Sequence, residues 1–347
     1  MVIKHGGNLL QIANRYESDV KDWLDLSTGV SPFTYPIGEI PNHVWNQLPQ
    51  TNDGLEAAAK IYYNAPNEPV AVAGSQAAIM LLPRVLMSYQ KSERCVVALP
   101  RVGYKEHEHA WRTFEQNNSH WQVLLYEEFP TSEQVERSDV VLVINPNNPS
   151  GQKFSSAYLK QLHQSLQQRN KALIVDEAFA DIPSEQSMLT PDTDMDNLIV
   201  LRSVGKFFGL AGARVGFVFA NTAIKQQIEE LMGPWTVTGP SRWVMKQALL
   251  DSKWQSRVTK RIQQASERLN QLLDNTLSFP RAGTDLFTTV YTDDAIHLHD
   301  QLCRLNILVR LCDEKNALRF GLPENEFQWQ KLERALLELK QKIGASQ

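Results

Sequence analysis

Ser203-Val204-Gly205-Lys206-Phe207-Phe208-Gly209-Leu210-Ala211-Gly212-Ala213-Arg214-Val215-Gly216 closes one β-rich run, residues 198–203, and opens the next, residues 215–220. A lysine set among glycines and apolar side chains loses part of its hydration, which makes its amine available as a Schiff-base nucleophile. Eight residues on, Arg214 offers a planar fork of donors suited to a phosphate. A lone lysine is more often a solvated surface charge, so this stretch takes its meaning from its surroundings.

Outward from it, residues 69–73, 94–99, 121–126, 140–145 and 172–176 are further short β-rich runs. Helical patterns separate them, one from Ser75 to about Tyr89 and another beginning near Tyr104. Such alternation predicts a mainly parallel sheet sandwiched by helices, an α/β large domain. Open sheets of this class present ligand crevices at the carboxyl ends of their strands, and three more segments stand there. Ala73-Gly74-Ser75-Gln76-Ala77 joins strand to helix; Gly74 permits close backbone approach, and the helix N-terminus offers free N–H groups to a phosphate. Asn145-Pro146-Asn147-Asn148-Pro149-Ser150-Gly151 presents the amide of Asn148, and Asp176-Glu177-Ala178-Phe179 presents a carboxylate able to pair with a buried cation. Read singly, these are equally a helix cap, a tight turn of the kind Asn, Pro and Gly favour, and an N-cap.

Beyond Gly239 the pattern changes. One long helix is expected from Pro240 to about Asn275, then a strand at 287–291, a helix around 295–305, strands at 307–311 and 318–321, and an amphipathic helix at 324–343. This is a smaller α+β unit. The first 40 or so residues, rich in Gly, Ser, Thr and Pro, read as extended and returning to cover it. The expected division is 43–237 for the large domain, and 1–42 with 238–347 for the small domain and N-terminal arm.

The 347 residues carry a net charge of −4, which gives no general pull toward nucleic acid or an anionic membrane. Three cysteines (Cys95, Cys303, Cys312) are too few and too scattered for a disulfide framework or a zinc site. The N-terminus has no signal-peptide h-region, and no apolar run approaches the roughly 18–20 residues of a membrane helix. A cytoplasmic protein is expected. His107-x-His109 and His297-x-His299 lack further ligands at a recognised spacing and read as surface or helix-packing histidines, so no metal is expected. Trp111, Trp121, Trp235, Trp243 and Trp254 read as core or interface residues.

In combination, the order Gly-Ser, Asn-Pro, Asp, Ser-x-x-Lys and Arg on one α/β scaffold resembles the fold-type I pyridoxal-phosphate enzymes, the class I/II aminotransferase family with the aspartate-aminotransferase fold. The resemblance runs from end to end. It implies pyridoxal 5′-phosphate carried on Lys206, which would also move protons at the substrate Cα. Asp176 would pair with the ring nitrogen and Asn148 would donate to the ring 3′-oxygen. Gly74, Ser75, Gln76, Ser203 and Arg214 would hold the phosphate, Tyr104 would stack on the ring, and Arg319 would bind the substrate carboxylate. One position departs. Most relatives read Asp-x-Ala-Tyr, and Phe179 cannot donate to the 3′-oxygen, so the linkage to Lys206 is expected to hold its proton to higher pH.

Within that family, His5-Gly6-Gly7-Asn8, then Leu24-Asp25-Leu26-Ser27-Thr28-Gly29-Val30-Ser31-Pro32 and Tyr35-Pro36, resemble the opening of threonine-phosphate decarboxylases. Gly103-Tyr104-Lys105-Glu106-His107, Leu308-Val309-Arg310 and Leu318-Arg319-Phe320-Gly321-Leu322-Pro323 fit the same subgroup. The resemblance implies decarboxylation of O-phospho-L-threonine to (R)-1-amino-2-propanol O-phosphate in cobalamin biosynthesis. Arg310 would assist Arg319, and His5, Asn8 and Gly29 are candidates for the rest of the substrate site. A histidinol-phosphate-type aminotransferase is the alternative of the same fold. A non-catalytic binding or regulatory module is the alternative of another class, against which stand the intact Lys206 and Asp176. A homodimer is implied, although Leu48-Pro49 stands where many relatives supply a tyrosine across the interface.

Overall fold

The computed structural model describes residues 5–89, 94–116, 119–182 and 187–345. Val140–Ile144 and Ala172–Asp176 are buried at every position, as central strands covered on both faces must be. They lie in the middle of an eight-stranded sheet. Its order is Val70–Val72, Gly216–Phe219, Leu198–Ser203, Ala172–Asp176, Val140–Ile144, Arg94–Pro100, Ser119–Tyr126, Glu115–Gln116. From Leu198–Ser203 through Ser119–Tyr126 neighbours are parallel. Gly216–Phe219 is antiparallel to both its neighbours, which sets Val70–Val72 running with the parallel set. The chain adds Ser119–Tyr126 on one side of Arg94–Pro100 and Val140–Ile144 on the other. At such a reversal, helices diverge and a crevice opens at the carboxyl ends.

Ser75–Met87 covers the sheet with Ile79, Leu82, Val85 and Leu86 at helical spacing, packed into a core that includes Val97, Leu142, Ile174 and Ile199. The single helix expected over 240–275 is two, Gly239–Leu250 and Ser252–Thr276. Asp251 breaks it: its ψ of 74° leaves helical space, and its carboxylate accepts the Trp254 N–H at 2.9 Å.

By contact the chain forms two compact units: Tyr35–Asn148 with Gln152–Trp254, and Met1–Thr34 with Pro149–Gly151 and Gln255–Gln347. Residues 35–42 and 238–254, assigned from sequence to the smaller domain, cluster with the sheet unit. Their tie is physical. Buried Arg242, on Gly239–Leu250, makes bidentate bonds of 2.7 and 2.8 Å to Asp53 and the same to Glu56, at the start of Leu55–Tyr62.

The other unit holds a four-stranded antiparallel sheet in the order Arg281–Thr284, Phe287–Tyr291, Ala317–Gly321, Arg310–Leu311, with Ala295–Arg304 packed on it. Residues 307–311 split at Val309: Ile307–Leu308 pairs in parallel with Leu24–Asp25 instead. The N-terminal segment is not extended throughout. Leu9–Arg15 is helical because Leu9, Ile12, Ala13 and Tyr16 form one apolar stripe: Ala13 is buried with Trp23, Cys303 and Leu308, and the other three pack half-buried against that cluster. Among the described residues no helix is long and apolar enough to cross a membrane.

Candidate active site

The carboxyl ends of the strands deliver one side chain after another to a common cavity. Asp176 and Ser203 are the last residues of adjacent parallel strands. Asn148 follows Val140–Ile144 on a loop fixed at several points. Its Asn145 N–H donates to the Asp176 carbonyl at 2.8 Å, and Asn145 Oδ1 accepts the Phe154 N–H at 2.9 Å. Asn147 Nδ2 donates to the Val102 carbonyl at 2.7 Å. The asparagines therefore hold the loop as well as turn it.

Part of the cavity lining forms a cradle for an oxyanion. Gly74, with φ of +75°, is the N-cap of the 13-residue helix Ser75–Met87 and supplies no side-chain cap, so the helix's first N–H groups remain for a ligand. Ser75 Oγ and Ser203 Oγ lie 2.6 Å apart. Arg214, in left-handed backbone at φ +53°, folds back so closely that a Cβ on Gly74 would sit 2.7 Å from its guanidinium. Two hydroxyls, helix-terminal amides and a guanidinium form a donor set for a phosphate.

Asp176, Asn148, Tyr104 and Lys206 line the same cavity. Asp176 is 2% exposed, and its Oδ1 accepts the Ala178 N–H at 3.0 Å. Its Oδ2 meets Nε2 of His107 at 2.7 Å. His107 is 1% exposed, and its Nδ1 has no hydrogen-bond partner. An unpaired buried lone pair costs less than an unpaired buried N–H, so the proton sits on Nε2 and is donated to Asp176. The Lys206 ammonium lies 5.5 Å from the Phe179 ring centroid, within reach of its π face. Tyr104 donates its hydroxyl to Gln76 Oε1 at 3.1 Å, and Gln76 donates its amide to Glu106 at 2.8 Å.

All nine residues expected around the cofactor line this one cavity: Gly74, Ser75, Gln76, Tyr104, Asn148, Asp176, Ser203, Lys206 and Arg214. Ile144, Phe179 and Val215 supply its apolar wall. A phosphate cradle, a buried carboxylate and a half-buried amine are the donor set that pyridoxal 5′-phosphate needs, and the residues fit it. Gln76 departs in detail, since its side chain is taken up by Tyr104 and Glu106.

The expected substrate residues belong to the other compact unit. Arg319, on Ala317–Gly321, is 5% exposed; it donates to the Ser27 carbonyl at 2.6 Å and lies 5.2 Å from the Phe287 ring centroid. Burial pulls its pKa down to about 10. Arg310 stands directly opposite Arg319 in the sheet register and bonds Asp313 at 3.0 Å. His5 and Asn8 are exposed, and Gly29 is buried with φ of +62°.

His107 is the functional residue that sequence reasoning missed. Read as a surface or helix-packing histidine, it is instead buried against Asp176. Its position three residues after Tyr104, one helical turn on, is the one sequence feature that places it beside the site, and that spacing alone does not distinguish it from a packing histidine. Glu106, behind Gln76, was missed for the same reason. Burial pushes the thiols of Cys95, Cys303 and Cys312 up to about 11, which leaves them inert small hydrophobes. Among the described residues no His, Cys, Asp and Glu side chains group as metal ligands.

Known proteins resemble the chain in sequence and in fold. The family "Aminotransferase class I and II" matches residues 45–291. The threonine-phosphate decarboxylase of Pseudomonas aeruginosa is 42% identical over 340 residues, covering 98% of this chain and 99% of that protein. The threonine-phosphate decarboxylase of a Sinorhizobium species is 34% identical over 92% of this chain and 93% of its own. In three dimensions the chain is similar to the histidinol-phosphate aminotransferase of Sinorhizobium meliloti in complex with pyridoxal-5′-phosphate, with a TM-score of 0.80, covering 99% of this chain and 96% of that one. At 16% identity that likeness speaks for the fold alone.

Proposed function

The chain belongs to the class I and II aminotransferase family, and from that membership we propose that it decarboxylates O-phospho-L-threonine to (R)-1-amino-2-propanol O-phosphate with pyridoxal 5′-phosphate, as a step of cobalamin biosynthesis. The observation that carries the reading is the 42% identity to a threonine-phosphate decarboxylase over nearly the whole of both chains.

Bound in the cavity, the cofactor would supply a conjugated ring that accepts the electron pair left when the Cα–carboxylate bond breaks. The protein's part is binding, orientation and proton control. Ser75, Ser203, Arg214 and the amides after Gly74 would hold the phosphate. Asp176, oriented by the His107 N–H, would pair with the ring nitrogen. Asn148 would donate to the ring 3′-oxygen, where Phe179 offers no hydroxyl. Tyr104 would cover one ring face. Lys206 would carry the cofactor and return a proton to the substrate Cα.

Choice of reaction is a matter of which bond at the substrate Cα is presented for cleavage. A decarboxylase would orient the bond to the carboxylate, whereas an aminotransferase would orient Cα–H. Arg319, with Arg310 beside it, is the group proposed to set that choice, and His5, Asn8 and Gly29 are proposed to complete the substrate site. We take the enzyme to be cytoplasmic and homodimeric. Exposed Trp45, Leu48 and Ile61 in the sheet unit supply apolar surface of the kind a second copy would cover.

The test is incubation of the pyridoxal-loaded protein with O-phospho-L-threonine and no oxo acid, followed by mass spectrometry of CO2 and aminopropanol phosphate. Catalytic release of both, lost in Lys206→Ala, is expected. No release, with amino transfer from histidinol phosphate to 2-oxoglutarate, would overturn the decarboxylase reading in favour of the aminotransferase.

A further inference from the structure

In the His5-Gly6-Gly7-Asn8 turn, both glycines pack on Ser27, and Ser27 also holds Arg319. Ser27 is 1% exposed. Its hydroxyl accepts the Gly7 N–H at 2.8 Å and donates to Asp25 Oδ1 at 2.6 Å, while its own N–H donates to the same carboxylate oxygen at 2.8 Å. Its carbonyl accepts from Arg319 at 2.6 Å. The turn sits hard against that carbonyl. A Cβ on Gly6 would lie 2.3 Å from the Ser27 oxygen and 2.9 Å from its carbon, both backbone atoms with nowhere to rotate. Gly7 follows in left-handed backbone, φ +81°. On its other side the segment is tied to Arg319's own strand: the Leu26 carbonyl accepts the Gly321 N–H at 2.7 Å, and a Cβ on Gly321 would lie 2.9 Å from that same oxygen.

We propose that the Gly6-Gly7 turn is a positioning element for Arg319, acting through the Ser27 carbonyl, and that it thereby sets affinity for the carboxylate of the substrate. The inference rests on the reading that Arg319 takes that carboxylate. Both glycines then have a physical reason: one makes room for the Ser27 carbonyl, the other turns the chain so that its N–H reaches the Ser27 hydroxyl. A guanidinium seated on a fixed carbonyl is held in one orientation, and an oriented fork is what a bidentate carboxylate contact requires.

Gly6→Ala pushes the Ser27 carbonyl away, and Ser27→Ala removes the hydroxyl anchor while leaving the carbonyl. The holoenzymes are compared on two ligands, O-phospho-L-threonine by KM and kcat, and 1-amino-2-propanol O-phosphate by competitive inhibition. The second ligand has the phosphate and amine but no carboxylate. Gly6→Ala is expected to raise KM for the substrate about ten-fold, the loss of one charge-assisted hydrogen bond, with the inhibition constant of the product and the cofactor absorbance within about two-fold of wild type. Ser27→Ala is expected to move the same way by less, and it serves as the test where Gly6→Ala does not fold. Parallel weakening of both ligands would mean that the turn holds the phosphate or merely supports the fold, and the proposal would be wrong. An unchanged KM in both variants would also overturn it. Arg319→Ala separates the two layers: if it leaves KM unchanged, the carboxylate reading itself falls. If it raises KM while Gly6→Ala and Ser27→Ala do not, only the positioning role falls.

Discussion

Replacing Gly216 by alanine would set a methyl carbon 2.5 Å from the Ser75 backbone nitrogen and 2.9 Å from the Arg202 carbonyl oxygen. Neither neighbour can swing aside. Ser75 begins the helix Ser75–Met87, and Arg202 lies in Leu198–Ser203, whose Ser203 stands opposite Gly216 in the ladder. Ordinary van der Waals contact begins near 3.4 Å, so going from 2.5 Å to that distance moves the helix start by roughly 0.9 Å. A shift of that size takes a donor from a normal bond of about 2.9 Å to about 3.8 Å, outside hydrogen-bonding range. Each bond to a charged group contributes about 1.5–3 kcal/mol. Losing one therefore raises the dissociation constant for pyridoxal phosphate about 10- to 100-fold, and overpacking lowers stability by about 1–3 kcal/mol. Gly212, four residues earlier, is the control, because a Cβ there meets nothing within 4 Å. Titration of the apo-protein by fluorescence, with urea unfolding beside it, reads both quantities. If Gly216→Ala bound the cofactor as wild type does and kept its urea midpoint, or if Gly212→Ala were as damaging, the cradle described here would be wrong.

Three further outcomes follow from single side chains. His107→Leu removes the donor to Asp176 and is expected to weaken cofactor binding by at least about ten-fold, whereas His107→Gln, which can still donate, retains part of it; equal affinities in Leu and wild type would exclude the role. Phe179→Tyr supplies the missing hydroxyl, and the visible absorbance of the bound cofactor is expected to titrate at lower pH, which an unchanged titration curve would contradict. Burial pushes the Asp181 carboxyl from 3.8 up to about 7, against the opposing pull of Arg202 and the hydroxyls of Tyr62 and Tyr63. An acid whose folded pKa is raised costs stability as its unfolded form ionises, so stability should fall between about pH 4 and 7, by a few kcal/mol. Asp181→Asn should flatten that slope in chemical unfolding, and an identical slope in the variant would refute it.

The parallel sheet was legible because its strands are short apolar runs with no second use: 172–176 and 198–203 have the observed bounds, and 140–145 differs by one residue. Buried strands leave a continuous apolar signal that helices of similar composition do not imitate at that length. The break at Asp251 was not legible, since helical periodicity continues on both sides and only the backbone dihedral and the cap to Trp254 reveal it. The Leu9–Arg15 helix hid among glycines and turn formers whose local preference for extended chain gives way to burial of one apolar stripe. In the site, residues that carry chemistry stood out by type and spacing, whereas those that hold them did not. His107 and Ser27 are ordinary in sequence and acquire a role only when a distant residue folds against them.

Support for the cavity also comes from the residues beside the ones that line it. Asp176 and Ser203 end neighbouring strands and line the cavity; Glu177 and Arg202, adjacent to them in the chain, do not. Those two pair with each other at 2.6 Å, at 0–3% side-chain exposure. Arg202 also lies 4.5 Å from the Tyr63 ring centroid, and Glu177 accepts from the Met188 N–H at 2.7 Å and the Ser187 hydroxyl at 2.8 Å. Taking two charges out of water costs about as much as their attraction returns, so such a pair adds little net stability. What it does enforce is register. A slip of either strand would strand a buried charge at a cost of about 3–5 kcal/mol, whereas an apolar pair would tolerate it. We therefore attribute to the pair the fixed spacing of Asp176 and Ser203. Replacing both by leucine tests this, with urea unfolding and cofactor titration read on the same protein. Retained stability with weakened cofactor binding is the expected result. Full retention of both would show that the strands keep their register without the charges, because apolar packing on both faces of the sheet then suffices to place Asp176 and Ser203.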